Sequence, residues 1–134
     1  MASIGDMVAA SWAWSIQTTL MNIIGGLFHD SAGSIWSTHV SDNAATDITS
    51  SMVVDTMQLL GDNAGSLTTM IVHSATYAKL QKDSLIDFVR DADNNIMFST
   101  YLGKRLIIDD QCPTSGSGGT TEYRSFLFGD GAFA

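Results

Sequence analysis

At 134 residues, with 45% apolar and 15% charged residues, the chain is long enough for one domain with its own core and too apolar for a disordered segment. Six Lys and Arg stand against fourteen Asp and Glu, and the resulting net charge of −8 repels a phosphate backbone, which argues against specific nucleic-acid binding. The single cysteine, Cys112, leaves no internal disulfide to form and fits a reducing compartment.

The first element is a long helix from Ile4 to Phe28, because Ile4, Val8, Trp12, Ile16, Leu20, Ile24 and Phe28 recur at every fourth position. Each such step overshoots a full turn by about 40°, so the apolar row winds around the helix and must meet several partners. A helix of that length spans roughly 37 Å, more than a compact fold of about a hundred residues covers along its length. Part of the row is therefore expected to stay uncovered, and Ile4, Val8, Trp12, Ile16 and Leu20 form a candidate self-association surface.

A membrane span is the rival reading, since Met7 to Phe28 carries no formal charge and is long enough to cross a bilayer. Polar residues through its middle oppose this, as does the absence of flanking Lys or Arg; the first basic residue other than histidine is Lys79. A signal peptide needs a charged leader, and only Asp6 precedes the run. No membrane association is expected.

From His29 to Ala45 the chain reads as a surface connection with Ile35, Trp36 and Val40 as apolar anchors. A second helix follows over about Ser50 to Leu60, capped by Thr49 or Asp47 and stopped by Gly61. Leu67 to Val72 has the length and punctuation of a buried strand, and Ser74 is placed to cap a short helix carrying Ala75, Tyr77, Ala78 and Leu80, with Lys79 and Lys82 near its C-terminal end. Ile96 to Leu102 and Leu106 to Ile108 form a hairpin about Gly103-Lys104, closed by Asp109-Asp110 and Pro113. Thr114 to Thr120 is a glycine-rich loop expected to be the loosest internal segment, and Tyr123 to Phe128 is the last strand. The four strands are expected in one sheet covered by the two short helices, an α+β fold.

Catalytic readings find little support. A Ser-His-Asp hydrolase would need His29, His39 or His73 against a serine, and Gly116-Ser117-Gly118 lacks the spacing of a nucleophile elbow. Asp109 and Asp110, adjacent on a strand, point to opposite faces and cannot converge on a metal without a bend. His29-Asp30 has no partner ligand at recognisable spacing, and the glycine loop lacks the Lys-Ser/Thr and helix start of a phosphate cradle. Met52, Met57, Met70, Met97 and Trp36 read as core or interface fillers, and Cys112, with no cation cluster beside it, as inert packing. No catalytic residue, cofactor or metal is expected.

The order and spacing of the central motifs resemble the major capsid (coat) protein family of tailed bacteriophages. A helix ending in Leu60-Gly61-Asp62, a strand ending in His73-Ser74, the Tyr77-Ala78-Lys79-Leu80 helix and Leu85-Ile86-Asp87 carry the likeness. So do Thr100-Tyr101-Leu102-Gly103, Ile108-Asp109-Asp110 before Pro113, and the terminal Phe128-Gly129-Asp130-Gly131-Ala132. The resemblance implies a capsid-type fold: residues 1–30 as the spine helix of a peripheral domain, and residues 31–134 as an axial domain with a mixed sheet covered by helices. It further implies a structural, non-enzymatic subunit of an icosahedral shell. Its partners would be copies of itself in pentameric and hexameric rings and other phage structural proteins. Its place would be the virion capsid, with assembly in the bacterial cytoplasm. The family's N-terminal arm, extended loop and further peripheral strands have no counterpart here, so a fragment of a longer coat protein is expected. An encapsulin-like compartment protein, a small hydrolase and a membrane-associated protein are the alternatives.

Overall fold

The computed structural model describes residues 3–29, 38–43, 46–116 and 120–132. Helix α1 runs from Ile4 to Leu27, with Phe28 as its C-cap, close to the span expected from the four-residue repeat. Helix α2, Ser50–Gln58, is capped by the Thr49 side chain, which accepts from the Met52 amide. It stops two residues earlier than predicted and passes into a 3₁₀ turn over Gly61–Ser66, entered by Gly61 at a φ of +54° that a glycine adopts without strain. Strand β1, Leu67–Val72, then leads into helix α3, Ser74–Lys82.

The N-cap of α3 is His73 rather than Ser74: the imidazole Nδ1 accepts from the Ala75 amide at 3.1 Å. The Ser74 amide is free to donate to the Asp110 carboxylate instead. Strand β2, Asp87–Arg90, was not anticipated. It pairs antiparallel with β3, Ile96–Tyr101, which in turn pairs with β4, Lys104–Ile108. The β3–β4 reversal sits on Leu102 and Gly103, both at positive φ, one residue earlier than the predicted Gly103-Lys104. That is the mirror-image turn whose twist matches a two-residue hairpin.

The predicted last strand divides. Glu122–Tyr123 (β6) pairs with Thr114–Ser115 (β5), while Phe126–Gly129 (β7) joins the main sheet against β1. The expected single sheet therefore holds for Leu67–Val72, the two hairpin strands and the end of the fourth run, but not for Tyr123. The start of the glycine-rich loop is likewise paired strand, and residues 117–119, where its looseness was placed, lie outside the described residues. So do Ile35 and Trp36 of the earlier connection. The sheet order is β2-β3-β4-β1-β7, with β1 and β4 parallel and the other pairings antiparallel, which makes it mixed as the resemblance implied.

Side chains alternate across the sheet, and each face has its own cover. Met70, Val72, Tyr101 and Leu106 pack with Val53 of α2 and Leu80 of α3. Ile71, Phe126 and Phe128 point the other way, onto Leu20, Met21, Ile24 and Phe28 of α1. The second layer was not foreseen: the C-terminal half of α1 is the lid of the sheet's other face. Lys79 of α3 reaches Asp47 at 3.3 Å and Asp83 at 3.2 Å, tying the approach to α2 against α3; the two carboxylates raise its pKa above the ordinary lysine range.

Candidate functional site

Helix α1 begins with a reciprocal capping box. The Ser3 hydroxyl accepts from the Asp6 amide, and the Asp6 carboxylate accepts from the Ser3 amide and hydroxyl at 3.1 and 2.8 Å. Those hydrogen bonds, the hydroxyl's first, hold the Asp6 carboxyl below its usual range. The Ser3-x-x-Asp6 signature in the sequence was the available signal for this start.

From Ile4 to Gln17 every residue of α1 is exposed. Ile4 is 82%, Trp12 68% and Ile16 65% open to solvent, and Val8 is exposed with them. Leu20, the fifth member of the candidate surface, is half-buried and packs beside Met21 and Ile24 against the sheet. The four-residue row thus runs out of solvent at Leu20, as its winding demands. Downstream, the exposed apolar residues are Ile23 and Leu27, which the row does not contain. The contrast across one peptide bond is large, with Ile23 63% and Ile24 2% exposed.

What holds the helix is a seam at its C-terminal half. Gln17 donates from Nε2 to the nearly buried Asp109 carboxylate at 2.8 Å, and the other carboxylate oxygen accepts from the Gln111 amide. Met21 and Ile24 close on Cys112 and Phe126, Phe28 lies 6.1 Å ring to ring from Phe126, and Arg124 donates to the Phe28 carbonyl. Gly25 passes so near Pro113 that an added Cβ would sit 2.7 Å from its Cγ. Burial, with help from the Asp109 and Asp110 carboxylates, pushes the Cys112 thiol up to about 12, so at neutral pH it is a protonated packing group.

Asp109 and Asp110 do diverge, Asp109 to α1 and Asp110 to the start of α3. There Ser74, His73 and Asp110 come together, the trio a hydrolase reading would seek. The arrangement is that of a cap. One imidazole nitrogen, Nδ1, faces the Ala75 amide at 3.1 Å, the Ser74 hydroxyl at 3.5 Å and Asp110 at 3.7 Å. A triad needs the serine on one ring nitrogen and the carboxylate on the other, and an Nδ1 that accepts from an amide carries no hydrogen for Asp110. The Tyr123 ring leans on the same imidazole at a tilt of 43°, with ring centroids 4.6 Å apart. Among the described residues no helix is long and apolar enough to cross a membrane.

The sequence model of the major capsid protein 13-like family matches residues 1–133. The major capsid protein of Bacillus phage SPP1 is 37% identical over 133 residues, covering 98% of this chain and 41% of that protein. The chain thus spans well under half the length of the curated relative it matches. The capsid resemblance of the central motifs is upheld along the chain, together with the α+β architecture it implied: the chain belongs to the major capsid protein 13-like family.

Proposed function

We propose that this chain supplies the spine helix and the axial domain of a phage coat subunit. Copies of it associate, within the whole coat protein, into the pentameric and hexameric rings of an icosahedral shell. Residues 1–30 form the spine and residues 31–134 the axial part, joined by the seam at Gln17, Met21 and Ile24. The subunit works structurally, in the virion, after assembly in the bacterial cytoplasm with copies of itself and other phage structural proteins. Heterologous contacts that close into rings are the symmetry such an assembly requires.

The observation that carries this reading is the solvent-exposed first half of α1. Ile4, Val8, Trp12 and Ile16 stand free of the fold that anchors the rest of the helix. An exposed apolar surface of that extent marks an interface; in the whole coat protein its further segments and neighbouring subunits cover it, and in this shorter chain self-association substitutes. Leu20 completes the candidate surface at the point where it meets the domain.

Sedimentation velocity across a concentration series, with electron microscopy of the whole coat protein, tests the reading. Association that rises with concentration, and falls when Trp12 and Ile16 are replaced by serine, is expected. A folded monomer at high concentration, unchanged by those substitutions, together with a whole coat protein that forms no shells, would refute it.

A further inference from the structure

The start of α3 holds one titratable side chain where its two protonation states need different partners. In the capping arrangement the Nδ1 lone pair of His73 accepts from the Ala75 amide at 3.1 Å, which leaves the ring proton on Nε2. Asp110 Oδ1 lies 3.7 Å from the same Nδ1 and already accepts from the Ser74 amide at 3.1 Å. A neutral imidazole therefore satisfies the amide and offers the carboxylate nothing. An imidazolium has no lone pair on Nδ1 and carries a hydrogen there, so it turns the Ala75 N–H away and suits the carboxylate.

From this geometry we propose that His73 is a proton switch: uncharged, it caps α3 through Ala75; protonated, it releases that amide and pairs with Asp110. Histidine is the side chain whose charge ordinarily changes between pH 5 and 8, so mild acidification is the trigger.

The surroundings favour an exchange of partners over a simple loss of the cap. Hydrogen bonds from Ser74 hold the Asp110 carboxyl below its ordinary range, so it is still an anion when the imidazole gains its proton. The His73 side chain is 18% exposed and Asp110 is 69% exposed, so the carboxylate can close the gap to hydrogen-bond length, about 1 Å, without disturbing the core. Strand β6 contributes the Tyr123 ring at 4.6 Å, within the roughly 6 Å at which an aromatic ring attracts a cation. Its strand neighbours are engaged elsewhere, Glu122 accepting from Ser115 and Arg124 donating to the Phe28 carbonyl. On α3 the first turn carries no acidic residue, and Lys79 is held by Asp47 and Asp83. The positive end of the α3 dipole opposes the imidazolium, and the Asp110 charge offsets it. The new pair forms one residue from Asp109, the carboxylate that holds Gln17 of α1.

Nuclear magnetic resonance of the imidazole nitrogens and of amide exchange, from pH 8 to pH 5, tests the switch. At pH 8 the His73 Nδ1 resonance should be that of an unprotonated nitrogen. As His73 titrates, protection of the Ala75 amide, corrected for the intrinsic pH dependence of exchange, should fall roughly five-fold, the contribution of one helix cap. His73→Asn caps without titrating and should keep that protection throughout. Asp110→Asn should move the His73 transition to lower pH, because the imidazolium loses its partner. The transitions of His29 and His39, followed in the same spectra, should leave Ala75 untouched. A proton on Nδ1 at pH 8, Ala75 protection that stays constant while His73 titrates, or the same fall in His73→Asn would overturn the proposal. So would a His73 transition that Asp110→Asn leaves in place, or a chain that unfolds before His73 titrates.

Discussion

Ile23 and Ile24 are neighbours in sequence with opposite surroundings, and truncating each to alanine should separate two free energies. Ile24 lies in the seam against Met21, Cys112 and Phe126, and is 2% exposed. Removing a buried isoleucine to alanine costs about 2–5 kcal/mol, the transfer loss plus the residual cavity. Alanine returns a few tenths as the better helix former, and a seam between one helix and a sheet can partly collapse, so about 2–4 kcal/mol is expected. Ile23 faces outward, and its truncation should move the monomer's stability by no more than about 0.5 kcal/mol. Its effect should appear in association instead. At about 0.8 kcal/mol per buried CH₂, truncation in the associating copies weakens their contact by on the order of 1–3 kcal/mol, roughly five- to 140-fold in dissociation constant. Urea unfolding followed by far-ultraviolet circular dichroism reads the first quantity, at several protein concentrations because association feeds into apparent stability. Trp12 and Trp14 sit in the free half of α1, so their fluorescence reads the second. An Ile24→Ala loss under about 1 kcal/mol, or an equal loss for Ile23→Ala at low concentration, would refute the assignment of seam and free face.

Gly25→Ala should destabilise by roughly 1–3 kcal/mol because its Cβ would meet Pro113 Cγ at 2.7 Å, whereas Gly26→Ala, with nothing within 4 Å, should stabilise by up to about 1 kcal/mol. Equal thermal shifts for the two variants would contradict the close approach. Cys112, with its thiol near 12, should react with a disulfide reagent at pH 8 only as fast as the chain unfolds, and rapidly in urea; fast labelling of the native protein would show the seam open. Hydrogen bonds from Ser74, with a smaller contribution from His73, hold the Asp110 carboxyl below its ordinary value of 3.8. A depressed carboxylate contributes stability that is present above 3.8 and lost as pH falls through the lowered value, so Asp110→Asn should flatten the acid side of the stability profile below about pH 4. An unchanged profile would dissociate Asp110 from the α3 start.

The long helix, α2, β1, α3 and the β3–β4 hairpin were legible because each rests on local signals: a four-residue repeat, a capping threonine, an apolar run between turn residues. Strand β2 was not, since Asp87–Arg90 is four residues with charge at both ends and no burial to pattern it. The break between Tyr123 and Phe126 hid inside a run of β-formers, and no local rule announces that one end pairs with β5 and the other with β1. The parallel β1–β4 pairing joins residues more than thirty apart, such as Thr69 and Arg105, so it leaves no local trace. The cap fell to His73, whose Nδ1 accepts from the Ala75 amide, while the Ser74 amide donates to Asp110, a partner distant in sequence that no local pattern announces. For the candidate surface, Ile4 to Ile16 could be read from the repeat. The handover from Leu20 to Ile23 and Leu27 depends on where the sheet touches the helix.

A rod fixed at one end is a lever. From Gln17 to Ile4 the free arm of α1 is about 20 Å long, so a tilt of roughly 10° at the seam swings its tip through about 3–4 Å, close to the width of one side chain. A shell in which one chain meets neighbours at more than one angle calls for such gearing, with small adjustments at a packed hinge magnified at the rim. The anchor here is built from one buried carboxylate, Asp109, gripping Gln17 on one oxygen and its own loop on the other, and from a glycine pressed to a proline at Gly25 and Pro113. None of these residues belongs to the exposed run from Ile4 to Ile16, yet their fit sets the direction in which that run is aimed.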